Sequence, residues 1–192
     1  MKILVNRLES NSFCDIYQKP ESDFLNRPCQ GDIFKRDAIN LDIKDISSIF
    51  GWIIINSTCD LVRPRLDYFF FAPIRPLRYF IEKSSYSKNK KKEYLSKILN
   101  YEMLRTFFLP SSSKINSDEP LFCQLGYIFS IPIGDDYDET CKSLLKYRII
   151  SLKPPWREKL GQIVGNNFSR IGVPEPRLNY KNWIKEFIEK II

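Results

Sequence analysis

Trp52-Ile53-Ile54-Ile55-Asn56-Ser57-Thr58-Cys59-Asp60-Leu61 is the stretch on which the fold reading turns. Trp52 to Ile55 is a continuous apolar, β-branched run of strand length, the pattern of a central strand buried on both faces. Asn56 to Leu61 then breaks it with turn-forming polar residues, and a loop is expected from Ser57 to Pro64. Side chains presented at the end of a rigid strand are a common place for a site. Cys59 invites a nucleophile reading there, but the neighbouring Asp60 disfavours a thiolate, so a structural turn is the preferred reading.

Working outward, Tyr68-Phe69-Phe70-Phe71-Ala72 predicts a second buried strand, ended by Pro73. Upstream, Gly31-Asp32-Ile33-Phe34 reads as entry into a strand, and Lys2 to Val5 as a short one. Downstream, Tyr94, Leu95, Ile98, Leu99 and Met103 recur at helical spacing and predict a helix over 93–104. Phe122 to Ile131 and Leu144 to Leu152 read as further strands, joined through the acidic turn Gly134-Asp135-Asp136. Pro154 and Pro155 open a helix through Trp156, Leu160, Ile163 and Val164, which Gly172 and Pro174 stop. A last amphipathic helix over about 177–191 carries Trp183, Phe187 and Ile191 on one apolar stripe.

Composition sets the class. At 192 residues, 43% hydrophobic and 28% charged, the chain suits one globular domain rather than a disordered segment. We read 1–192 as that domain, with a core over about 30–152 and a C-terminal helical extension over about 154–192. No run approaches the ~18–20 apolar residues of a membrane span, and no signal-peptide core follows Met1, so no membrane partner and a cytoplasmic location are expected. Five cysteines, Cys14, Cys29, Cys59, Cys123 and Cys141, form no Cys-x-x-Cys pair, which fits reduced thiols better than disulfides or zinc. Histidine is absent altogether. That removes Ser-His-Asp and Cys-His catalysis and His-based metal sites, and no cofactor or metal is expected.

The net charge of +7 is unevenly placed. Residues 63–105 hold 11 basic and 4 acidic residues, while the segments on either side cancel one another. Within this third Arg75, Arg78, Lys83, Lys88, Lys90, Lys91, Lys92 and Arg105 interleave with Tyr79, Phe80, Tyr86 and Tyr94, a mixture suited to a phosphate backbone with stackable bases. The competing reading is a solvated loop whose lysines serve solubility. Two lesser candidates have structural readings that we prefer. Arg157 and Arg170 near a proline-led helix start suggest an anion site, but packing accounts for them, and Gly161 and Gly165 permit close approach of another backbone. Asp135, Asp136, Asp138 and Glu139 suggest an oxygen-ligand cation site, but their spacing does not match an EF-hand loop and Gly134-Asp135-Asp136 is a common hairpin turn.

Residues 30–77 resemble, in the order of their features, the PemK/MazF-type plasmid-maintenance toxins. The resemblance rests on Gly31-Asp32-Ile33-Phe34, on the strand Trp52 to Asn56 with Ser57, and on Phe71-Ala72-Pro73-Ile74. It implies a small SH3-like barrel, RNA as the substrate class and a toxin–antitoxin or defence setting. Two departures bear on catalysis: Phe50-Gly51-Trp52 stands where that family has Arg-Pro, and Arg75-Pro76 stands where it has a threonine after the Pro-Ile segment.

The architecture expected is therefore α+β: a small twisted, partly closed β-barrel through Ile33, Ile54, Phe70, Tyr127 and Ile149, with flanking helices and a C-terminal amphipathic helix. The preferred function is a non-catalytic binding or accessory protein, contacting RNA, DNA or an acidic protein through Arg63 to Arg105. The alternative is a histidine-free endoribonuclease drawing on Arg63, Arg65, Arg75, Asp60 and Thr58, with arginines on the phosphate and Asp60 as base. A third reading is a subunit of a larger assembly or homo-oligomer, joined through Trp183, Phe187 and Ile191.

Overall fold

The computed structural model describes residues 15–41, 45–62, 66–103 and 105–169. These form one curled, half-barrel antiparallel sheet of eight strands: β1 (Tyr17–Gln18), β2 (Asp32–Lys35), β3 (Gly51–Ile54), β4 (Tyr68–Pro76), β5 (Thr106–Leu109), β6 (Leu121–Gln124), β7 (Phe129–Pro132) and β8 (Arg148–Leu152). Their spatial order is β1-β8-β2-β3-β4-β6-β5, with β7 also paired to β4. The helices among the described residues are α1 (Thr58–Leu61), α2 (Leu77–Lys83), α3 (Lys88–Leu99), α4 (Tyr137–Leu145) and α5 (Trp156–Ser169). None is long and apolar enough to cross a membrane.

Apolar side chains cover both faces of the sheet, which is why its strands read as unbroken hydrophobic runs. Period-two alternation sorts the residues between faces. Ile33, Ile53, Ala72, Ile74, Phe107, Leu109, Leu121 and Cys123 share one core with Leu160 and Ile163 of α5. Their neighbours Phe34, Trp52, Ile54 and Phe71 pack on the other face with Leu61 of α1 and Cys141 of α4. Towards the β5 edge, Phe108 and Phe122 on that second face meet Leu77 of α2 and Ile98 of α3. The β3 strand is central and wholly buried, as its sequence predicts. Gly51 is required at its start, because a Cβ there would stand 2.4 Å from the Phe34 carbonyl oxygen.

Several sequence expectations are corrected. The β4 strand continues through Pro73 to Pro76. Ile55 N–H donates to the Phe70 carbonyl and Phe50 N–H to the Ile74 carbonyl, so even-numbered β4 residues bond to β3. Pro73 faces the other way, at the gap between β7 and β6, where its missing N–H breaks no ladder. Opposite that gap the single strand expected over Phe122 to Ile131 divides into β6 and β7. Tyr127, expected in a strand, is exposed in the turn between them. The helix expected over 93–104 begins five residues earlier and takes in the lysine run. Thr106–Leu109, unassigned from sequence, is an edge strand.

The acidic turn is instead a helix start. The Asp136 carboxylate accepts from Glu139 N–H, with Asp138 and Glu139 in the first turn of α4, where acidic residues favour the helix dipole. The strand expected over Leu144 to Leu152 accordingly begins only at Arg148. The strand at Lys2 to Val5 and the C-terminal helix with Trp183, Phe187 and Ile191 lie outside the described residues, as do Arg63, Arg65 and Arg170.

Candidate nucleic-acid interface

The α2–α3 hairpin grows out of the end of β4. Leu77 and Ile98 are buried against Phe108 and Phe122, with Phe80, Leu95 and Leu99 packed around them. That anchoring face leaves the charged face outward. Residues 77–99 contain seven basic and two acidic residues. Lys88, Lys90 and Lys92 are exposed, and among the described residues no carboxylate forms a salt bridge with them, although Glu93 feels the Lys90 charge. Lys91 differs: its ammonium donates to the Ile81 carbonyl at 2.8 Å, tying α3 to α2. Lys83 lies 3.8 Å from Asp45 and Arg78 3.1 Å from Glu119, so both are already in ion pairs. Arg105 is exposed beside Gly126, outside the hairpin.

Aromatic rings lie among these lysines. Tyr86 stacks on Tyr94 at 4.8 Å between centroids and 20° between planes, and the Lys90 ammonium stands 5.2 Å from the Tyr86 ring. A hydrogen bond with Tyr94 raises the pKa of the Tyr86 hydroxyl. Tyr94 in turn packs edge-on against Phe80, which seats the pair on the hydrophobic anchor. Sequence reasoning found these residues but placed the lysines before the helix. Lysine carries no periodic signal, yet it is a good helix former.

Of the alternative catalytic set, the described members Arg75, Thr58 and Asp60 are not brought together. Arg75 is buried, its guanidinium donating to Gln124 Oε1 at 3.2 Å, to the Asp45 carbonyl at 3.2 Å and to the Ser48 hydroxyl, and lying 4.5 Å over the Tyr79 ring. It sits beside the start of β3, where Ile74 pairs with Gly51, whereas Thr58 and Asp60 follow the far end of that strand. Thr58 Oγ1 accepts from Gln30 N–H at 3.2 Å, and Cys59 and Asp60 are exposed on α1. At about 3.3 Å per strand residue, Arg75 and the Thr58 turn are separated by the length of β3, on the order of 13 Å.

Two other polar arrangements were less visible in sequence. Asp32 is fully buried and accepts from Cys29 N–H at 3.0 Å, the Cys29 thiol at 3.1 Å, Arg148 Nη1 at 3.0 Å and the Ser151 hydroxyl. Arg148 also donates to the Phe24, Leu25 and Arg27 carbonyls and so pins that loop to β8. Burial, then Asp32, pushes the Cys29 thiol pKa far up. Arg157 is likewise structural, buried and donating to the Leu152 carbonyl and to Glu21. Gly161 admits a side chain rather than a backbone: a Cβ would stand 2.9 Å from Gln30 Oε1.

The second arrangement is a cleft of about 490 Å³ between the turns Arg36–Ala38 and Ile46–Ser48 and the head of α2. It is lined by Ile49, Phe50, Pro76 and Tyr79 together with charged groups of both signs. Compared with known proteins, the chain matches no family model and no curated protein sequence.

Proposed function

We propose that this chain is a non-catalytic nucleic-acid-binding protein whose α2–α3 hairpin holds the phosphate backbone. One observation carries the reading. The first five residues of α3 include four lysines and no acidic residue, although the positive end of a helix dipole disfavours cations there. The helix therefore places this charge against its own local stability. A polyanion relieves that conflict, since lysines and helix N–H groups attract phosphate together. The exposed Tyr86, stacked on Tyr94, adds aromatic surface among the lysines.

The endoribonuclease reading implied by the PemK/MazF resemblance is less well supported, because Arg75 is engaged elsewhere and distant from Thr58 and Asp60. The test is fluorescence anisotropy with a labelled single-stranded oligonucleotide at low salt. Replacing Lys88, Lys90 and Lys92 together with Gln is expected to weaken binding at least tenfold, while Lys35→Gln, on the exposed end of β2, leaves it unchanged. Equal affinity of the triple variant and the parent overturns the proposal.

A further inference from the structure

We infer that the cleft at the head of α2 takes one unpaired nucleobase of a single strand whose phosphates lie on α3. The inference rests on the nucleic-acid reading above and narrows it from nucleic acid in general to single-stranded RNA or DNA. Continuity is the first support: Tyr79 and Glu82 line the cleft from α2, and α2 leads through Ser84–Ser87 directly into the lysine-bearing helix.

Charge is the second. The cleft is bordered by Asp37, Glu82 and Glu119 against Arg36 and Arg78, and each arginine already faces a carboxylate, at 3.7 Å for Arg36–Asp37 and 3.1 Å for Arg78–Glu119. With three carboxylates against two guanidiniums, this lining favours a phosphate less than the lysine face of α3 does. A neutral base suits it, because its edge carries amino donors for carboxylates and carbonyl or ring-nitrogen acceptors for guanidinium N–H groups.

Shape is the third. A volume of about 490 Å³ falls within the range of small-ligand pockets, roughly 300–1,000 Å³. The lining residue Tyr79 is held in place by Arg75, which covers its ring at 4.5 Å without lining the cleft, and by packing against the cluster around Leu77 and Phe122. Tyr79 is the aromatic side chain of the lining against which a base would stack, and Arg75 acts as its positioning residue.

The test compares three probes of equal length: a single-stranded oligonucleotide, a fully abasic strand with the same phosphates, and a duplex. The protein is expected to bind the base-bearing strand at least tenfold tighter than the abasic one, and tighter than the duplex. Tyr79→Leu and Ser47→Leu are each expected to lower that base-to-abasic ratio about tenfold with no change in the salt dependence of abasic binding. Ser47 is an exposed cleft residue, so its variant narrows the site without touching the core. A ratio unaltered in both variants, or a duplex bound as tightly as the single strand, overturns the inference while the lysine interface stands. If no probe binds, or the Lys88, Lys90 and Lys92 variant binds the abasic strand as the parent does, the underlying reading fails and takes this one with it.

Discussion

The Tyr17 hydroxyl donates to the Pro110 carbonyl at 2.8 Å and joins the two edges of the sheet. Tyr17 lies on the edge strand β1, and Pro110 directly follows β5, the edge at the opposite end of the strand order. The half-barrel therefore curls far enough for side chains to span its two margins, and this seam is made by side chains and not by a ladder. Lys114, in the turn after β5, reinforces it by pairing with Asp15 and donating to the Tyr17 carbonyl. Tyr17→Phe keeps the ring but leaves a buried carbonyl unsatisfied. It is expected to cost about 1–3 kcal/mol, read as a lower urea midpoint with an unchanged slope. An unchanged midpoint would show that the seam contributes nothing.

Asp32 and Arg148 make the stronger internal tie. With every lone pair of Asp32 engaged and Arg148 almost fully enclosed, removing one partner leaves a buried, uncompensated charge. Asp32→Ala is expected to destabilise the protein by about 3–5 kcal/mol. The double variant Asp32→Ala with Arg148→Met is expected to lose less than the sum of the single changes, measured by a double-mutant cycle. Strict additivity would mean that the pair does not act as a unit.

Alkaline pH is expected to loosen the same core. Burial raises the pKa of Tyr17 and Tyr101 above the ordinary tyrosine value, and of Cys29 and Cys123 above the ordinary thiol value. Their folded forms keep protons that the unfolded chain releases near pH 8.5 for Cys and 10 for Tyr. Above those values the unfolded state binds fewer protons, so stability falls as pH rises. These groups contribute fully below about pH 8 and progressively less through pH 9–11. Urea midpoints at pH 8 and pH 10.5 check this, and equal midpoints would refute it.

Thiol accessibility separates Cys59 from the other described cysteines. Cys59 is exposed on α1, whereas Cys29, Cys123 and Cys141 are buried, and burial raises the pKa of each of those three. Brief alkylation of the native protein, followed by peptide mapping, is expected to label Cys59 well before those three. Cys59→Ser is expected to leave nucleic-acid affinity within about twofold, because Cys59 is not part of the α2–α3 hairpin. A loss of ten-fold or more in a folded variant would bring the Asn56–Leu61 turn into the site.

The sequence made the central strands legible because burial on both faces leaves a local mark: Trp52 to Ile55 and Phe69 to Ala72 are apolar without interruption. It also showed the α5 start, where Pro154 and Pro155 precede an apolar face. What it hid depended on distant partners. Pro73 reads as a strand end, and only the gap between β7 and β6 shows why it is tolerated. Gly134-Asp135-Asp136 reads as a turn joining two strands until Asp136 is seen capping α4 at Glu139 N–H. Arg75 looked like a free cation in the basic third, but Ser48, Gln124 and Tyr79, 27, 49 and 4 residues away, enclose it. The lysine cluster was visible as composition, whereas its place on a helix face was not.

The most direct test of the nucleic-acid interface is the salt dependence of binding. With a single-stranded oligonucleotide, the slope of log K against log salt counts the phosphates neutralised, at roughly 0.7 per contact. Replacing Lys88, Lys90 and Lys92 with Gln is expected to reduce that slope by about 2, while Lys91→Gln, whose ammonium is engaged by Ile81, changes it by far less than a full contact. A slope that stays the same when the three exposed lysines are removed would contradict the account.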